Sequence, residues 1–549
     1  MSGDRVTPHA RTTGAPSRPW ERRWGALLLA TAALGLAGLG LPSLGGDDEF
    51  YGAIARQIVA TGEWVTLAHP AHPGWLVDKP PLTFWLMAVS LRLGGDRPAV
   101  LRAWHVALAL ATVGVTWQLG ARALGREGGM LAALLLATSG QFFYVAFDPA
   151  QDVPLTFFLT VAMLAYVTYR AAGGVRAAVL AGLAVALAVL TKGIVALAVF
   201  GLVAAADLAL PPRRGVWRWR DVGLGAAVFL AVAAPWFVAG ALRQGRPFVD
   251  TFFLWGTLGV GRFFEGVAPK MPYWQALLIF VPTVMIGVLP WTGVLPGVVA
   301  EGWRAIRGGV PVLRVCGLWA GLYFLLLSVS PGDKMMHHLL PLYPAVMVLA
   351  ARFVLTADGH PARLRVPAGL ALAAVIPAAA GVALMVARYP QVTRSVLPAA
   401  IPFVAALLAA LLAFAGAAGR GRARAAVAAA AALMVVAHAS AEAFVLRRWD
   451  ALRAAGQAAP SAGRVPSAVS VWGVAEAGGR TARRAGPARS ATCRSSPGTV
   501  PRVHPRQTGG ARVARARGWC LRRARVAPVA AVAARLTLQE RRQYNGWRV

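Results

Sequence analysis

The sequence predicts an all-α membrane protein that crosses the bilayer many times, and three observations lead to this fold class. Of the 549 residues, 57% are hydrophobic and only 14% are charged, and the mean hydropathy is +0.57. Apolar stretches of about 20 residues, long enough to cross a bilayer, recur along the chain as far as residue 446. Arginines gather in every second loop between these stretches, as the orientation of membrane proteins requires. This composition excludes a soluble cytosolic enzyme.

About thirteen transmembrane helices fit these stretches. Their approximate positions are residues 25–43, 98–120, 129–147, 153–170, 177–191, 193–209, 222–242, 275–299, 312–330, 338–356, 366–387, 396–418 and 424–446. The basic N-terminal segment, residues 1–24, is predicted to stay in the cytoplasm, because cytoplasmic loops carry the excess of positive charge. Every second loop then lies on the cytoplasmic side as well, and these loops contain Arg122, Arg170, Arg218, Arg307, Arg363 and Arg420.

The net charge of +34 does not predict a nucleic-acid partner. Much of it lies in short loops and in the C-terminal tail, where membrane proteins carry orientation signals and groups that contact lipid. Membrane lipid is therefore the expected partner of these charges. The three cysteines, Cys316, Cys493 and Cys520, form neither a disulfide framework nor a metal motif.

The loops on the opposite side hold almost every unusual polar residue. They run from Asp47 to Lys79, from Asp148 to Asp152, from Gln244 to Trp274 and from Asp333 to His338. In the first external loop, residues 44–97, apolar residues recur at helical spacing over 51–59 and over 82–93, which predicts two amphipathic helices on the membrane surface. The aromatic residues expected to anchor this loop at headgroup depth are Trp64, Trp75, Phe84 and Trp85. One site on the external face accounts for this distribution.

Three adjacent acidic residues, Asp47, Asp48 and Glu49, open the first external loop. An aspartate before a helix commonly caps its N-terminus by accepting backbone N–H bonds. Three carboxylates exceed what a cap needs, and charged groups at a membrane are usually functional. We therefore favour a general base acting on an acceptor group, and the sequence leaves open which aspartate it is.

Lys79 and Asp152 are the other charged candidates on this side. Lys79 precedes the stiff pair Pro80-Pro81, and a lysine held on a fixed backbone suits a phosphate. The alternative for Lys79 is that its side chain reaches out to the lipid headgroups. Asp152 opens a predicted helix, and its sequence position is equally compatible with a cap.

The order of these motifs resembles one family of membrane glycosyltransferases. The matching segments are Asp47-Asp48-x-x-Tyr51, Ala55-Arg56, Gly62-Glu63-Trp64, Lys79-Pro80-Pro81-Leu82-Thr83-Phe84-Trp85-Leu86, Arg102, Asp152-Val153-Pro154, Leu190-Thr191-Lys192-Gly193, Gly261-Arg262-Phe263, Leu289-Pro290-Trp291, Ser330 to Lys334 and Leu339 to Ala345. They cover about residues 44–350 and are similar to the GT-C fold enzymes that include the dolichyl-phosphate-mannose protein mannosyltransferases and the lipid A aminoarabinose transferases. Each segment alone is weak evidence for this family, but the order that the segments share with the family makes the whole set specific to it.

The resemblance implies an inverting transfer of a sugar from a polyprenyl-phosphate donor to a lipid, glycan or protein acceptor. It places the reaction at the external, periplasmic face of the plasma (inner) membrane. Catalysis is then expected from Asp47, Asp48 and Asp152. The donor phosphate is expected to bind Lys79, Arg262, Lys334 and His338. The acceptor or the cavity wall is expected to involve Glu49, Tyr51, Asp78, Lys192 and His337.

Departures from the family pattern limit what can be carried over. Asp48 and Phe50 stand where the aminoarabinose transferases have Glu and Arg, so the sugar and the acceptor stay open. Those enzymes use Glu and His as metal ligands, but Asp78 precedes Lys79 here, and residues 255–260 contain no histidine. We therefore predict no metal at that pair and no other cofactor.

The sequence leaves open a divalent-metal site at other residues. His337 and His338 beside Asp333 could hold Zn²⁺, because imidazole and carboxylate groups suit that ion. The favoured role of His338 is hydrogen-bond donation to phosphate, since it stands where the family usually has tyrosine.

These observations predict four regions. They are a cytoplasmic N-terminus over residues 1–24, a catalytic transmembrane region over 25–356, further transmembrane helices over 357–446, and an external basic tail over 447–549. From Arg464 onward the tail holds 18 arginines, two glutamates and no lysine, so it is not expected to fold alone. It is either an arm that contacts anionic lipid or, as we favour, a GC-rich coding sequence read out of frame after about residue 465.

Two other functions compete with glycosyl transfer. A secondary transporter would also place carboxylates among many helices, but its charges should lie near the bilayer midplane within paired repeats. A lipid-binding membrane protein without catalysis would tolerate the loss of Asp47.

Overall fold

Helices make up the fold throughout the part of the chain that a computed structural model describes. That part comprises residues 19–40, 47–70, 76–212, 215–255, 273–329, 335–376, 383 and 390–446, and it contains no β-strand. It lies within the first of two compact units, residues 1–479. The predicted tail, residues 447–549, falls outside the described residues.

The first half of the chain supplies ten of the described helices. In order they are α1 (Pro19–Ala37), α2 (Asp47–Thr61), α3 (Leu82–Gly94), α4 (Pro98–Ala137), α5 (Gly140–Val145), α6 (Asp152–Ala172), α7 (Val175–Lys192), α8 (Ile194–Ala209), α9 (Trp219–Gln244) and α10 (Arg246–Val249). A π-helical turn, Asp250–Trp255, follows α10.

The second half of the described chain is built in the same way. Its helices are α11 (Tyr273–Gly287), α12 (Leu295–Gly308), α13 (Pro311–Val329), α14 (Tyr343–Ala357), α15 (Pro361–Ala373), α16 (Pro390–Gly419) and α17 (Ala423–Ser440). Two 3₁₀ segments, Trp291–Val294 and Met336–Leu342, lead into α12 and α14.

Among the described residues, nine helices are long and apolar enough to cross a membrane, or ten if one bent pair counts as a span. The chain is therefore a multi-pass membrane protein, and the all-α fold class is confirmed. The figure of about thirteen spans remains a prediction. Part of the difference lies in α4, where Gly125 has a left-handed φ of 74° and divides two helices that the sequence predicts separately.

The predicted span over 275–299 is bent in the structure. The helix axis bends by 117° between Leu277–Gly287 and Trp291–Gly308. Pro290 lies in the break, and proline cannot donate the backbone hydrogen bond that would continue a helix. The straight helix expected there is therefore replaced by a corner.

The two helices predicted in the first loop are present as α2 and α3. The buried face of α2 is formed by Tyr51, Ile54, Ala55 and Ile58, at the helical spacing seen in the sequence. Phe84 on α3 is fully buried and packs edge-to-face against Tyr51, with ring centroids 5.2 Å apart. The expected role of Phe84 as a headgroup anchor is therefore wrong, because its ring fills the protein interior.

Close packing of α7 on α9 fixes the position of α7. A Cβ atom on Gly182 would lie 2.0 Å from the carbonyl oxygen of Gly225, so only glycine fits at this crossing. Small residues allow membrane helices to approach each other this closely. Van der Waals contacts then stabilise the helix pair, because the hydrophobic effect does not drive helices together within lipid. This contact holds α7 against α9.

Candidate functional site

A buried ion pair joins the first residue of α6 to the last residue of α7. These helices run antiparallel and are connected by Gly173 and Gly174, so Asp152 and Lys192 meet across 40 residues of sequence. The Lys192 Nζ atom lies 2.6 Å from Asp152 Oδ1. Each charge also matches its helix end, since carboxylates are stabilised at N-termini and ammonium groups at C-termini.

Asp152 does not act as the helix cap that its sequence position allows. Gln151 occupies the cap position of α6, and no side-chain capping hydrogen bond is present there. The second carboxylate oxygen, Oδ2, lies 3.7 Å from His337 Nε2. The carboxylate of Asp152 therefore faces two nitrogen groups from distant parts of the chain.

The segment that carries His337 and His338 is fixed by α13. The Tyr323 hydroxyl donates a hydrogen bond of 2.8 Å to the backbone carbonyl of His338. The two imidazole rings are perpendicular, with centroids 4.9 Å apart. This arrangement places the imidazole of His337 beside Asp152 and the imidazole of His338 next to that of His337.

Lys79 from the first loop completes the group. Its charge acts on His338 together with the charges of Lys192, Asp152 and His337, so all five groups share one neighbourhood. Asp78 is 3.7 Å from the Lys79 Nζ atom. We call Lys79, Asp152, Lys192, His337 and His338 the polar cluster.

Exposure increases outward through the polar cluster. The side chain of Asp152 is 3% exposed and that of Lys192 is 18% exposed, whereas those of Lys79 and His337 are 26% and 28% exposed. The carboxylate of Asp152 is thus more enclosed than the nitrogen groups of Lys192 and His337 that contact it. The exposed rim holds the nitrogen groups of Lys79 and His337 together with the carboxylate of Asp78, which is 28% exposed. The nitrogen groups of this rim can make charge-assisted contacts to an anion.

Several predicted site residues fall outside this description. The structure describes neither Arg262 nor Lys334, and it gives no side-chain positions for Asp47, Asp48 and Glu49. For the acidic trio only the backbone is described, where Asp47 begins α2. Their predicted roles remain predictions. The ring of Tyr51 lies in the core between α2 and α3, where it contacts Phe50 and Phe84.

The first loop is tied to α9 by polar contacts. Glu63 accepts hydrogen bonds from the backbone N–H groups of Thr66 and Val65, and its carboxylate lies 2.7 Å from the Arg243 guanidinium. The backbone donors, followed by Arg243, hold the pKa of Glu63 below its ordinary value. Trp236 on α9 donates a 3.2 Å hydrogen bond to the carbonyl of Val65.

Replacing Glu63 with glutamine is expected to weaken this tie at neutral pH. A carboxylate with a lowered pKa stabilises the fold above its unfolded pKa, and this contribution is lost as pH falls through the folded pKa. Because the pair is exposed, we expect a drop in melting temperature of only about 1–3 °C at pH 7. Thermal unfolding in detergent should show this drop shrinking towards zero at about pH 3. Equal melting temperatures at pH 7 would contradict the assignment.

The contacts that shape the segment before α14 were not predicted from the sequence. Tyr323 lies within an apolar helix, and Tyr343 donates its hydroxyl hydrogen to Gln141 on α5. A Cβ on Gly287 would lie 2.1 Å from the Tyr343 hydroxyl and 2.2 Å from Gln141 Oε1. Only the folded chain reveals this three-way contact, because its members are far apart in sequence.

No metal centre is evident among the residues that the structure describes, where no group of three or more His, Cys, Asp or Glu side chains could hold an ion. Asp333, the third member of the metal site that the sequence leaves open, lies outside them. The polar cluster offers two lysine ammonium groups and two imidazoles beside one buried carboxylate, and such nitrogen donors favour phosphate or carboxylate ligands.

The chain is similar to known sugar transferases in sequence. A family model described as dolichyl-phosphate-mannose-protein mannosyltransferase matches residues 78–238. The undecaprenyl phosphate-alpha-4-amino-4-deoxy-L-arabinose arabinosyl transferase of Aeromonas salmonicida is 30% identical over 338 residues, which cover 59% of this chain and 58% of that protein. Its counterpart from Edwardsiella ictaluri is 28% identical, with 57% and 56% covered. The chain thus matches somewhat more than half the length of these relatives.

The fold is similar to that of a solved structure. The crystal structure of ArnT from Cupriavidus metallidurans bound to undecaprenyl phosphate has a TM-score of 0.62 and 22% identity, and the match covers 82% of this chain and 84% of that one. The same protein without ligand gives a TM-score of 0.61. Together with the sequence matches, this confirms the predicted resemblance to GT-C membrane glycosyltransferases.

Proposed function

We propose that this chain, which has the fold of the GT-C membrane glycosyltransferases, transfers a sugar from a polyprenyl-phosphate carrier to an acceptor at the external face of the membrane. The observation that carries the proposal is the polar cluster, in which Lys192 and His337 contact the buried carboxylate of Asp152 and Lys79 acts on the neighbouring His338. The relatives named above are transferases of a sugar carried on undecaprenyl phosphate. A lipid phosphate is the ligand that the cluster suits.

The proposed reaction inverts the anomeric carbon in a single displacement. An acceptor oxygen attacks the anomeric carbon from the side opposite the phosphate, and the bond between that carbon and the phosphate oxygen breaks. The electron pair of the broken bond remains on the phosphate, so negative charge grows on the leaving group. Fixed cations in a site of low dielectric constant stabilise that charge in the transition state. Lys79 and Lys192 supply such cations, and His337 lies beside the carboxylate that Lys192 contacts.

The acceptor proton needs a base, and the side chain of Asp152 is too enclosed for this role. Its carboxylate is 3% exposed and faces Lys192 and His337. We therefore assign proton removal to Asp47 or Asp48, at the start of α2, and assign Asp152 to holding its two partners in place. Arg262, Lys334 and His338 remain candidate phosphate ligands in this proposal.

A transfer assay tests the proposed function. Membranes containing the wild-type chain are supplied with radiolabelled sugars on polyprenyl phosphate, and label appearing in lipid, glycan or protein identifies the acceptor. Pentose and hexose donors are compared, since the resemblance does not distinguish them. We expect transfer by the wild type and its loss in either Asp47→Asn or Asp48→Asn, which identifies the base.

A matched carboxylate in the same loop serves as the control. Asp96 forms an exposed ion pair with Arg56 at 2.7 Å, so Asp96→Asn should retain transfer. Wild-type membranes that transfer no label with any donor would contradict the proposal. Label that crosses the membrane without forming a product would instead indicate a transporter. Donor binding without transfer, unchanged by Asp47→Asn, would indicate a lipid-binding protein.

A further inference from the structure

An apolar cavity of about 200 Å³ lies where α6, α7, α8 and α9 meet, away from the polar cluster. An apolar cavity of about 150 Å³ already accommodates a benzene ring. The residues of α9 that line the cavity run from Val222 to Phe229, a length of about 10 Å at 1.5 Å per residue. The cavity therefore has the volume and the length for a segment of a hydrocarbon chain.

The walls of this cavity favour hydrocarbon over water. Two of the wall residues, Tyr166 and Tyr169, carry hydroxyl groups, and both hydroxyls bond to protein. The Tyr166 hydroxyl donates a 2.9 Å hydrogen bond to Asp207. The Tyr169 hydroxyl accepts a 2.7 Å bond from the backbone N–H of Arg218 and lies 3.2 Å from its carbonyl oxygen. A buried water needs two to four polar partners, and aliphatic and aromatic carbon forms most of the remaining wall.

The cavity opens beside apolar side chains that are exposed on α8 and α9. They are those of Leu197, which lines the cavity, and of Leu224 and Leu230. Helices α6, α7 and α9 are long and apolar enough to cross a membrane, and α8 is a shorter apolar helix. Exposed leucines on such helices face lipid tails, which are as apolar as leucine itself. An empty cavity would forfeit dispersion contacts along its walls, so a lipid chain is the expected occupant.

One end of the cavity has the features of a headgroup region. Trp217 lines this end, and its ring packs edge-to-face against Trp219, which is 77% exposed at the start of α9. Tryptophan is enriched where a membrane meets water. The side chains of Arg218 and Arg220 are exposed here, as is that of Arg176 near the start of α7. The arginine pattern predicts that this end faces the cytoplasm, where basic residues attract anionic lipids.

We propose that this cavity binds one acyl chain of an anionic phospholipid, whose headgroup lies at Arg218 and Arg220. The chain follows α9 from Val222 to Phe229 and covers the crossing of α7 and α9. The site does not depend on the proposed transfer reaction, because its residues take no part in the polar cluster.

Photo-crosslinking of lipid to the purified full-length chain tests this site. The probe is phosphatidylglycerol with a diazirine in one acyl chain, and mass spectrometry locates the label. We expect label at Phe200 and Phe229, which line the cavity. Ala226→Trp fills the cavity from an exposed position on α9 and should remove most of this label. Ala227→Trp places the same ring at the next exposed position, outside the lining, and should leave the label unchanged.

The headgroup is tested with the two arginines at the mouth of the cavity. Replacing Arg218 and Arg220 together with glutamine should lower the preference for phosphatidylglycerol over phosphatidylcholine about tenfold. Arg246→Gln removes an exposed arginine beyond the opposite end of α9 and should leave that preference unchanged.

Three outcomes would overturn the proposal. Equal labelling of the wild type by the two lipids would exclude an anionic ligand. Label spread evenly over the exposed residues of α8 and α9, or unaffected by Ala226→Trp, would show lipid contact without a site. Displacement of the label by farnesyl phosphate, with none by unlabelled phosphatidylglycerol, would assign the cavity to a prenyl chain instead. Melting temperatures of the variants establish that each one is folded.

Discussion

Replacing Lys192 with methionine is expected to reduce sugar transfer by about 100-fold to 1,000-fold. The change leaves the carboxylate of Asp152, which is 3% exposed, without its partner at 2.6 Å. Removing one member of a buried ion pair costs about 3–5 kcal/mol, because the other charge stays buried and unpaired. We expect His337 to turn towards the freed carboxylate, so the phosphate loses both Lys192 and a correctly placed imidazole. Rates of transfer at saturating donor measure the effect.

A double-mutant cycle separates folding from catalysis at this pair. Asp152→Asn together with Lys192→Met removes both charges, so the melting temperature should recover most of the loss seen in Lys192→Met alone. Transfer should remain low in the double variant, because the cations that face the phosphate are still displaced or absent. Lys192→Arg keeps the charge and should retain part of the activity. Recovery of transfer in the double variant would show that the pair has only a structural role.

The order of the helices follows from the sequence because long apolar runs must be buried in a bilayer or in protein. The amphipathic helices α2 and α3 could also be predicted from the sequence. In α2, for example, Tyr51, Ile54 and Ile58 recur at helical spacing and are buried. The corner at Pro290 was not predicted from the sequence, although proline is its local cause. Hydropathy reports how apolar a segment is, and a bent pair of helices is as apolar as a straight one.

The candidate site could be predicted in part. Asp152 was a candidate as a charged group at the membrane, whereas Lys192, His337 and His338 were candidates through the family resemblance. The fold brings these four residues together. The direct contact of His337 with Asp152 could not be predicted, because it depends on how the segment before α14 packs on α6. Tyr323 gave no signal for the same reason, since its role depends on one hydroxyl that reaches a backbone carbonyl 15 residues away.

Replacing Lys79 with alanine is expected to weaken the binding of a prenyl phosphate by about 10-fold to 100-fold. Charge-assisted contacts to phosphate are about twice as strong as neutral hydrogen bonds. Lys79 is among the more exposed members of the polar cluster, and its neighbours Pro80 and Pro81 are buried and hold its backbone. Binding of farnesyl phosphate to the purified protein measures the loss. Arg92→Ala removes an exposed positive charge from the far end of α3 and should leave binding nearly unchanged.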